Sequence, residues 1–479
     1  MALPRIVLHS FLTSLESFSI ISINILNLIN QILKYTPHFL RNRIEHRPGL
    51  IKILDNIGWL FLDKVLRMGV GLLVGVWVAR YLGPENFGLL NYAMAFTGLF
   101  GAIATLGLQG IVIRDIVNSP KESNAILGTA FILRFLGGLI SFLAIIISIG
   151  LLRPDETLTK IIVAFFGFIL VIQSGEVIKW WFESQVQSKF VVWIENGVFL
   201  FIAAVKVGMI LSHASLLTFV IVAFFEALLG TIFLLLFYWK KTGSLTSWKP
   251  DLTVAKRLLL DSWPLILSGL AIAIYMRIDQ VMLGQMVGDH AVGIYSAAVR
   301  VSEIWYFIPG IIVSSVFPSI IEAKKTDENL YNQRLQKLYD LMVWIALSVA
   351  LPMSFLSNWL INSLFGSAYI EAGPILSIHI WTAFFVFLGV ASSNWFIIEN
   401  RQILSLQRTA LGAVTNVLLN LFLIPKYGVT GAACATIISQ AMASLVFDIF
   451  QKKTRQMFKM KLRSFNILRT TLIIWRIRK

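Results

Sequence analysis

The residues of this chain that could do chemistry are charged side chains set inside apolar runs. Asp63, Lys64 and Arg67 fall in one run, Arg134 in another, Glu195 and Lys206 in a third and Glu226 in a fourth. Arg277 with Asp279, and Arg300 with Glu303, follow later in the chain. A charge held mid-helix in hydrocarbon costs about 2.5–3.5 kcal/mol, so several together need partners or water. Some have an evident partner: Asp63 and Arg67 are four apart on one helical face, and Arg300 and Glu303 are three apart. Lys206 is placed to reach Glu226 across neighbouring helices. At each position a structural ion pair stands beside a contact to a polar ligand as a reading. Basic groups outnumber acidic ones near the runs that hold Arg67, Arg277 and Arg300, and a wet cavity with that balance favours an anion such as a phosphate or diphosphate.

Other chemistries are not legible. There is no His-Glu-x-x-His metal pair, Walker loop or Gly-x-Gly-x-x-Gly loop, and the six histidines are scattered. Neither a cofactor nor a metal is expected. His379 reads as a hydrogen-bonded helix residue, and the single cysteine, Cys434, as a small packing residue between two alanines. The loop acids Glu85, Asp155, Glu156, Asp289 and Glu371 are explained by solvation, and the loops around them are too short for a catalytic domain. The chain is therefore not expected to be an enzyme.

The elements that must hold these charges are helices in lipid. Of 479 residues, 57% are hydrophobic and 14% charged, against about 25% charged in a soluble domain. Each crossing needs roughly 20 apolar residues for about 30 Å of hydrocarbon. Candidate helices fall at 57–81, 87–111, 125–151, 158–181, 191–212 and 215–239, then at 259–285, 291–318, 339–363, 373–397, 403–424 and 428–450. The fold expected is an all-α polytopic membrane protein of about 12 transmembrane helices. Its divisions are an N-terminal extension (1–50), a six-helix lobe (51–240), a polar linker (241–258), a second six-helix lobe (259–450) and a basic tail (451–479).

Lys and Arg set the orientation. They crowd every second connection, from Arg41, Arg43 and Arg47 through Arg114, Lys121, Lys179, Lys189, the 240–257 cluster, Lys324 and Lys325 to Arg401, Arg408 and the tail. The alternate connections carry few, such as Arg153, Lys160 and Lys426. Both termini are thus expected in the cytoplasm, with the protein in the inner (plasma) membrane. The net charge of +16 reads as topology and contact with anionic membrane lipids, not as nucleic-acid binding. The extension lacks a compact apolar core with a cleavage site and is not read as a signal peptide. The tail, which mixes basic residues with Phe458, Phe465, Leu472 and Trp475, reads as a helix on the membrane surface or as a solvated basic segment.

An internal echo joins the halves. Residues 81–88 read YLGPENFG and 286–295 read MVGDHAVGIY, each with glycines five apart (Gly83/Gly88, Gly288/Gly293) and a tyrosine soon after (Tyr92, Tyr295). Parallel repeats of this kind are typical of transporters that rock two lobes about a cavity. Prolines at 264, 309, 318, 352 and 374 and glycines at 69, 71 and 75 offer bends or packing notches.

The stretches NIGWLFLDKVLRMGVGLLVGVWVARYLGPENFGLLNYA and GLQGIVIRDI resemble the start of the Wzx-type polysaccharide-export flippases of the multidrug/oligosaccharidyl-lipid/polysaccharide exporter superfamily. RIDQVMLGQMVGDHAVGIYSAAVRVSE, LFGSAYIEAGPILSI and NLFLIPKYGVTGAACATIISQ extend the likeness over roughly residues 52–450. The resemblance implies two six-helix lobes in a V around a central cavity. It also implies movement of undecaprenyl-diphosphate-linked oligosaccharide to the outer leaflet for O-antigen, capsule or exopolysaccharide assembly. Arg67, Arg80, Arg277 and Arg300 are the positions that would hold the anionic headgroup, and Asp279 would tune Arg277 or serve ion coupling. The partners implied are the lipid-linked oligosaccharide and, nearby, a polysaccharide polymerase and a chain-length regulator. A cation-coupled multidrug exporter of the same superfamily and a membrane-bound polymerase are the alternative readings.

Overall fold

A computed structural model describes residues 48–242, 247–399 and 401–465; most of the N-terminal extension and the end of the tail lie outside them. The described chain is helical, with no strand among the described residues. It runs α1 (Pro48–Leu99), α2 (Gly101–Thr105), α3 (Gln109–Asn118), α4 (Ser123–Leu152), α5 (Thr157–Ile172), α6 (Val177–Ser184), α7 (Ser188–Leu211) and α8 (Leu216–Thr242). After the linker come α9 (Leu252–Met286), α10 (Asp289–Glu303), α11 (Phe307–Thr326), α12 (Glu328–Phe365), α13 (Ala372–His379) and α14 (Thr382–Ile398). The described residues end with α15 (Gln402–Ala441), α16 (Phe447–Phe450) and α17 (Arg455–Ser464).

Ten stretches of the described residues are long and apolar enough to cross a membrane. Their flanks keep large apolar side chains exposed, among them Leu73, Ile147, Phe201, Phe355 and Phe422. Water would penalise that surface and hydrocarbon accepts it. The protein is an all-α polytopic membrane protein.

Glycine sets the breaks. At 52 residues α1 would be about 78 Å long if straight, far more than one crossing needs. Gly83 (φ 71°, ψ 169°) interrupts it, and Pro84 starts the next stretch. Gly428 (φ 54°, ψ −129°) interrupts α15 in the same way. The expected helices 57–81 and 87–111 fall on either side of the first break, and 403–424 and 428–450 on either side of the second. The second expected helix stops early. Leu106 and Gly107 take positive φ, so the chain turns and residues 109–118 form the separate helix α3.

Contacts divide the chain into two compact units assembled from interleaved segments. The first holds the described residues up to Gly75 with Ala104–Ile140 and Phe168–Trp263. Its core includes Leu108, Ile126, Trp180, Phe182 and Tyr238. The second holds Val76–Ile103, Ser141–Gly167 and the described residues from Pro264 onward. Its core gathers Tyr331, Tyr339, Phe387, Trp395 and Phe396, and includes Met457 and Met460 of α17. The described part of the tail is thus neither a free basic segment nor a helix lying only on lipid. Met457, Met460, Lys461 and Ser464 turn one face of α17 inward, and Gln336 of α12 bonds the Met460 carbonyl and Ser464 Oγ.

Candidate functional site

In the first unit the charges of α1, α4, α6 and α7 join in one ladder. Arg67 Nε donates to Asp63 Oδ1 at 2.7 Å, as the four-residue spacing predicts, and Nη2 donates to Glu195 Oε2 at 3.1 Å. The second carboxylate oxygen of Glu195 is paired with Lys179. Lys179 Nζ also donates to Glu176 Oε1 at 2.7 Å, and Arg134 reaches Glu176 Oε2 at 3.3 Å. Arg134 is 2% exposed and lies over the Trp180 ring, but its neighbours along the ladder are only half-buried. A charge that is part-exposed within a membrane-crossing helix requires water beside it, since lipid would not solvate it. Three cations alternate with three carboxylates, so the basic excess expected around Arg67 is balanced here. Glu176 and Lys179 were legible as a pair three apart, but an apolar run followed by a basic connection hid them. The expected Lys206–Glu226 pair forms separately at 2.8 Å.

In the second unit Arg277 is 42% exposed, and Nη2 stands 3.8 Å from Glu303 Oε2. The sequence paired Glu303 with its helix neighbour Arg300; the structure gives it a cross-helix partner, Arg277. Arg300 is half-buried on α10. Asp279, two residues from Arg277, is buried in a different setting. It accepts from the Tyr295 hydroxyl, from the Gln280 amide at 2.8 Å and from Thr436 Oγ1 at 3.2 Å. Tyr295 and Thr436 are missed by a search for charges, because hydroxyls in an apolar run carry no signal until the helices pack. His379 is buried, with Nδ1 3.0 Å from Ser302 Oγ, as its reading as a hydrogen-bonded helix residue requires.

Arg80 lies elsewhere in this unit. Its Nη2 donates to the Ser363 carbonyl at 2.6 Å, at the end of α12. A cation there meets the unsatisfied carbonyls of a helix C-terminus. Beside it the Tyr369 hydroxyl donates to the Ala79 carbonyl at 2.7 Å, and Phe87 packs edge-on to the Tyr369 ring. Two of the quoted sequence stretches, ARYLGP and LFGSAY, thus meet each other.

The glycine echo forms the tightest contact nearby. A Cβ added at Gly88 would stand 1.7 Å from the Asp289 carbonyl oxygen, and one at Gly293 2.0 Å from the Pro84 oxygen. Gly83 and Gly288, five residues before each, share positive φ with extended ψ (169° and 173°). Arg153 fastens the same end. It pairs with Glu156 at 2.8 Å and Asp289 at 3.0 Å, bonds the Gly284 carbonyl, and lies 4.0 Å from the Tyr92 ring centroid. Burial pulls its guanidinium down, but the Asp289 bond and charge outweigh that and hold it above its usual value. Sequence reading counted Arg153 only as a sparse loop charge. Among the described residues no group of three His, Cys, Asp or Glu could hold a metal ion.

Known proteins share this architecture. A solved multidrug-transporter structure of the MATE family, described as inward-facing, aligns with TM-score 0.66 at 14% identity, covering 83% of this chain and 96% of that one. The lipid II flippase MurJ aligns with TM-score 0.62 at 16% identity, covering 88% of this chain and 92% of that one. Among sequences, the capsular polysaccharide biosynthesis protein CapF of Staphylococcus aureus is 21% identical over 84% of this chain and its own full length. The probable low-salt glycan biosynthesis flippase Agl15 of Haloferax volcanii is 22% identical over 81% of each chain. The profile of the polysaccharide biosynthesis protein family matches residues 53–324, more than half of the chain, and the chain belongs to that family.

Proposed function

We propose that this protein carries a lipid-linked oligosaccharide, anchored by undecaprenyl diphosphate, from the cytoplasmic to the outer leaflet of the plasma membrane by alternating access. The observation that carries this reading is Arg277: a cation within a membrane-crossing helix, 42% exposed and held by an ion pair as loose as 3.8 Å. Such a group needs water beside it and retains donors for a diphosphate. Arg67 and Arg300 are the further cations proposed to meet the headgroup, with Arg80 at the end where the substrate departs. Buried Asp279, two residues from Arg277, is the candidate for ion coupling. Family membership and relatives bearing flippase names support the same direction.

Hydrated sugars cannot cross hydrocarbon unaided, because each hydroxyl would lose its water. A wet path with the polyprenyl tail left in lipid removes that cost. An inside-negative potential favours the outward step of an anion by about 2.3 kcal/mol per charge per 100 mV. A polymerase and a chain-length regulator would act on the product. A cation exporter would instead need acids ready for a drug; Asp63, Glu195 and Glu226 are each held by a lysine or arginine.

The test is transbilayer movement of a labelled undecaprenyl-diphosphate oligosaccharide in vesicles. Movement should require the protein and fall roughly ten- to a hundredfold in Arg277→Ala, the loss expected for one charge-assisted hydrogen bond. Absence of movement with several glycans, together with export of a lipophilic cation, would replace this reading with the drug exporter.

A further inference from the structure

The ladder of the first unit carries an inference that rests on the proposed function and deepens it. Glu195 stands between two cations from different helices, Arg67 of α1 and Lys179 of α6, one on each carboxylate oxygen. Charged groups on the elements around it include Asp63 on α1, Glu176 in the turn before α6, Glu183 one turn along α6, Arg134 on α4, Lys189 at the start of α7 itself, and Lys240 and Lys241 at the end of α8. Exposed Lys64 lies beside Asp63 on α1, and the Lys206–Glu226 pair joins α7 to α8. Along the ladder itself the charges cancel, so Arg67 and Lys179 have no spare positive charge for an anion. A phosphate that reaches them meets the Glu195 carboxylate already in place. Two anions sharing two cations inside a membrane-crossing bundle repel strongly, and adding a proton to the carboxylate removes that repulsion.

We propose that Glu195 is a proton-coupling residue: the headgroup phosphate takes its place between Arg67 and Lys179, and Glu195 accepts one proton from water as it yields. Protonated Glu195 keeps a hydrogen-bond donor for the bound phosphate oxygen. When the headgroup leaves, the carboxylate gives up the proton and closes on the two cations again. Binding of the anion and of the proton are thereby linked, each strengthening the other. No bond is made or broken apart from that proton transfer.

The test is binding of undecaprenyl diphosphate to the purified full-length protein in weakly buffered detergent, with proton uptake read by a pH indicator. Wild type should take up about one proton more per bound lipid than Glu195→Gln, which is neutral and nearly isosteric. Between pH 6 and 8 wild-type affinity should fall more steeply than that of Glu195→Gln, by up to tenfold per pH unit. Glu226→Gln, on the separate pair, should behave as wild type and controls for loss of a carboxylate. Equal proton uptake and parallel pH profiles in wild type and Glu195→Gln would overturn the linkage and leave the flippase reading intact. Failure of undecaprenyl diphosphate to bind wild type at all would overturn both.

Discussion

Lys461 shows how far a single residue can depart from its appearance in the sequence. Among the basic residues of the tail it looks like one more solvated cation. In the structure it is 0% exposed, bonded to Asp448 Oδ2 at 2.7 Å and to the Ser444 carbonyl. Burial lowers its ammonium from 10.5 to about 8, with Asp448 pulling it back by less. Removing one member of such a pair strands the other charge, so Lys461→Ala should cost about 3–5 kcal/mol. Replacing both, as Lys461→Met with Asp448→Leu, should recover most of the loss, because well-packed apolar groups avoid desolvating two charges. Thermal unfolding in detergent reads both effects. The pH sign follows from the lowered value. Between about pH 8 and 10.5 the unfolded chain holds this proton and the folded one does not, so stability rises with pH across that window. From pH 7.5 to 9.5 the wild-type Tm should therefore rise relative to that of the double variant; parallel curves would show that Lys461 does not titrate there. Nothing in the spacing of the tail announces this, since burial of a lysine depends on α17 docking against helices more than a hundred residues away in sequence. Asp63–Arg67 is the opposite case: four residues on one helix fix the geometry, and the pair was readable from the sequence.

At the scale of elements, the glycine echo was legible as spacing and illegible as contact. YLGPENFG and MVGDHAVGIY each announce a turn. Neither announces that the fifth residue after each turn glycine packs on the start of the other segment. Gly88 meets Asp289, and Gly293 meets Pro84, in a reciprocal crossing like an isologous interface folded into one chain. Because backbone atoms lie on both sides, neither helix can yield by rotating a side chain. Gly88→Ala and Gly293→Ala should each destabilise by about 1–3 kcal/mol, the range for overpacking. Both relieve their clash by the same separation of the helices, so the double variant should cost clearly less than the sum. Denaturation midpoints of the two single variants and the double variant check this; simple additivity would mean that the two contacts are independent. The early end of the second helix was missed for a related reason. Leu106 adopts positive φ, a conformation no sequence pattern predicts for leucine, whereas Gly83 and Gly428 sit where breaks were expected.

For the molecule as a whole, hydropathy and the distribution of Lys and Arg carry most of the information. Apolar runs fix where helices lie because each residue in lipid must satisfy its own backbone. The packing of segments into compact units was not legible, because it depends on contacts such as Arg153–Asp289 between residues far apart in sequence. Orientation rests on the charge bias alone, and it governs the direction of transport. If the positive-inside rule holds along the chain, the connection after α4, with Asp155, faces outward, and the linker before α9, with Lys249, faces the cytoplasm. The single native cysteine makes this directly measurable: in a Cys434→Ser background, Asp155→Cys and Lys249→Cys place one thiol at each end. A membrane-impermeant maleimide should label Asp155→Cys in intact cells and Lys249→Cys only after permeabilisation. That pattern puts the Arg80 and Gly88–Gly293 contacts at the outer end of the proposed path. The inverse pattern would turn every helix over, place that crossing at the cytoplasmic side, and make outward flipping along the proposed path untenable.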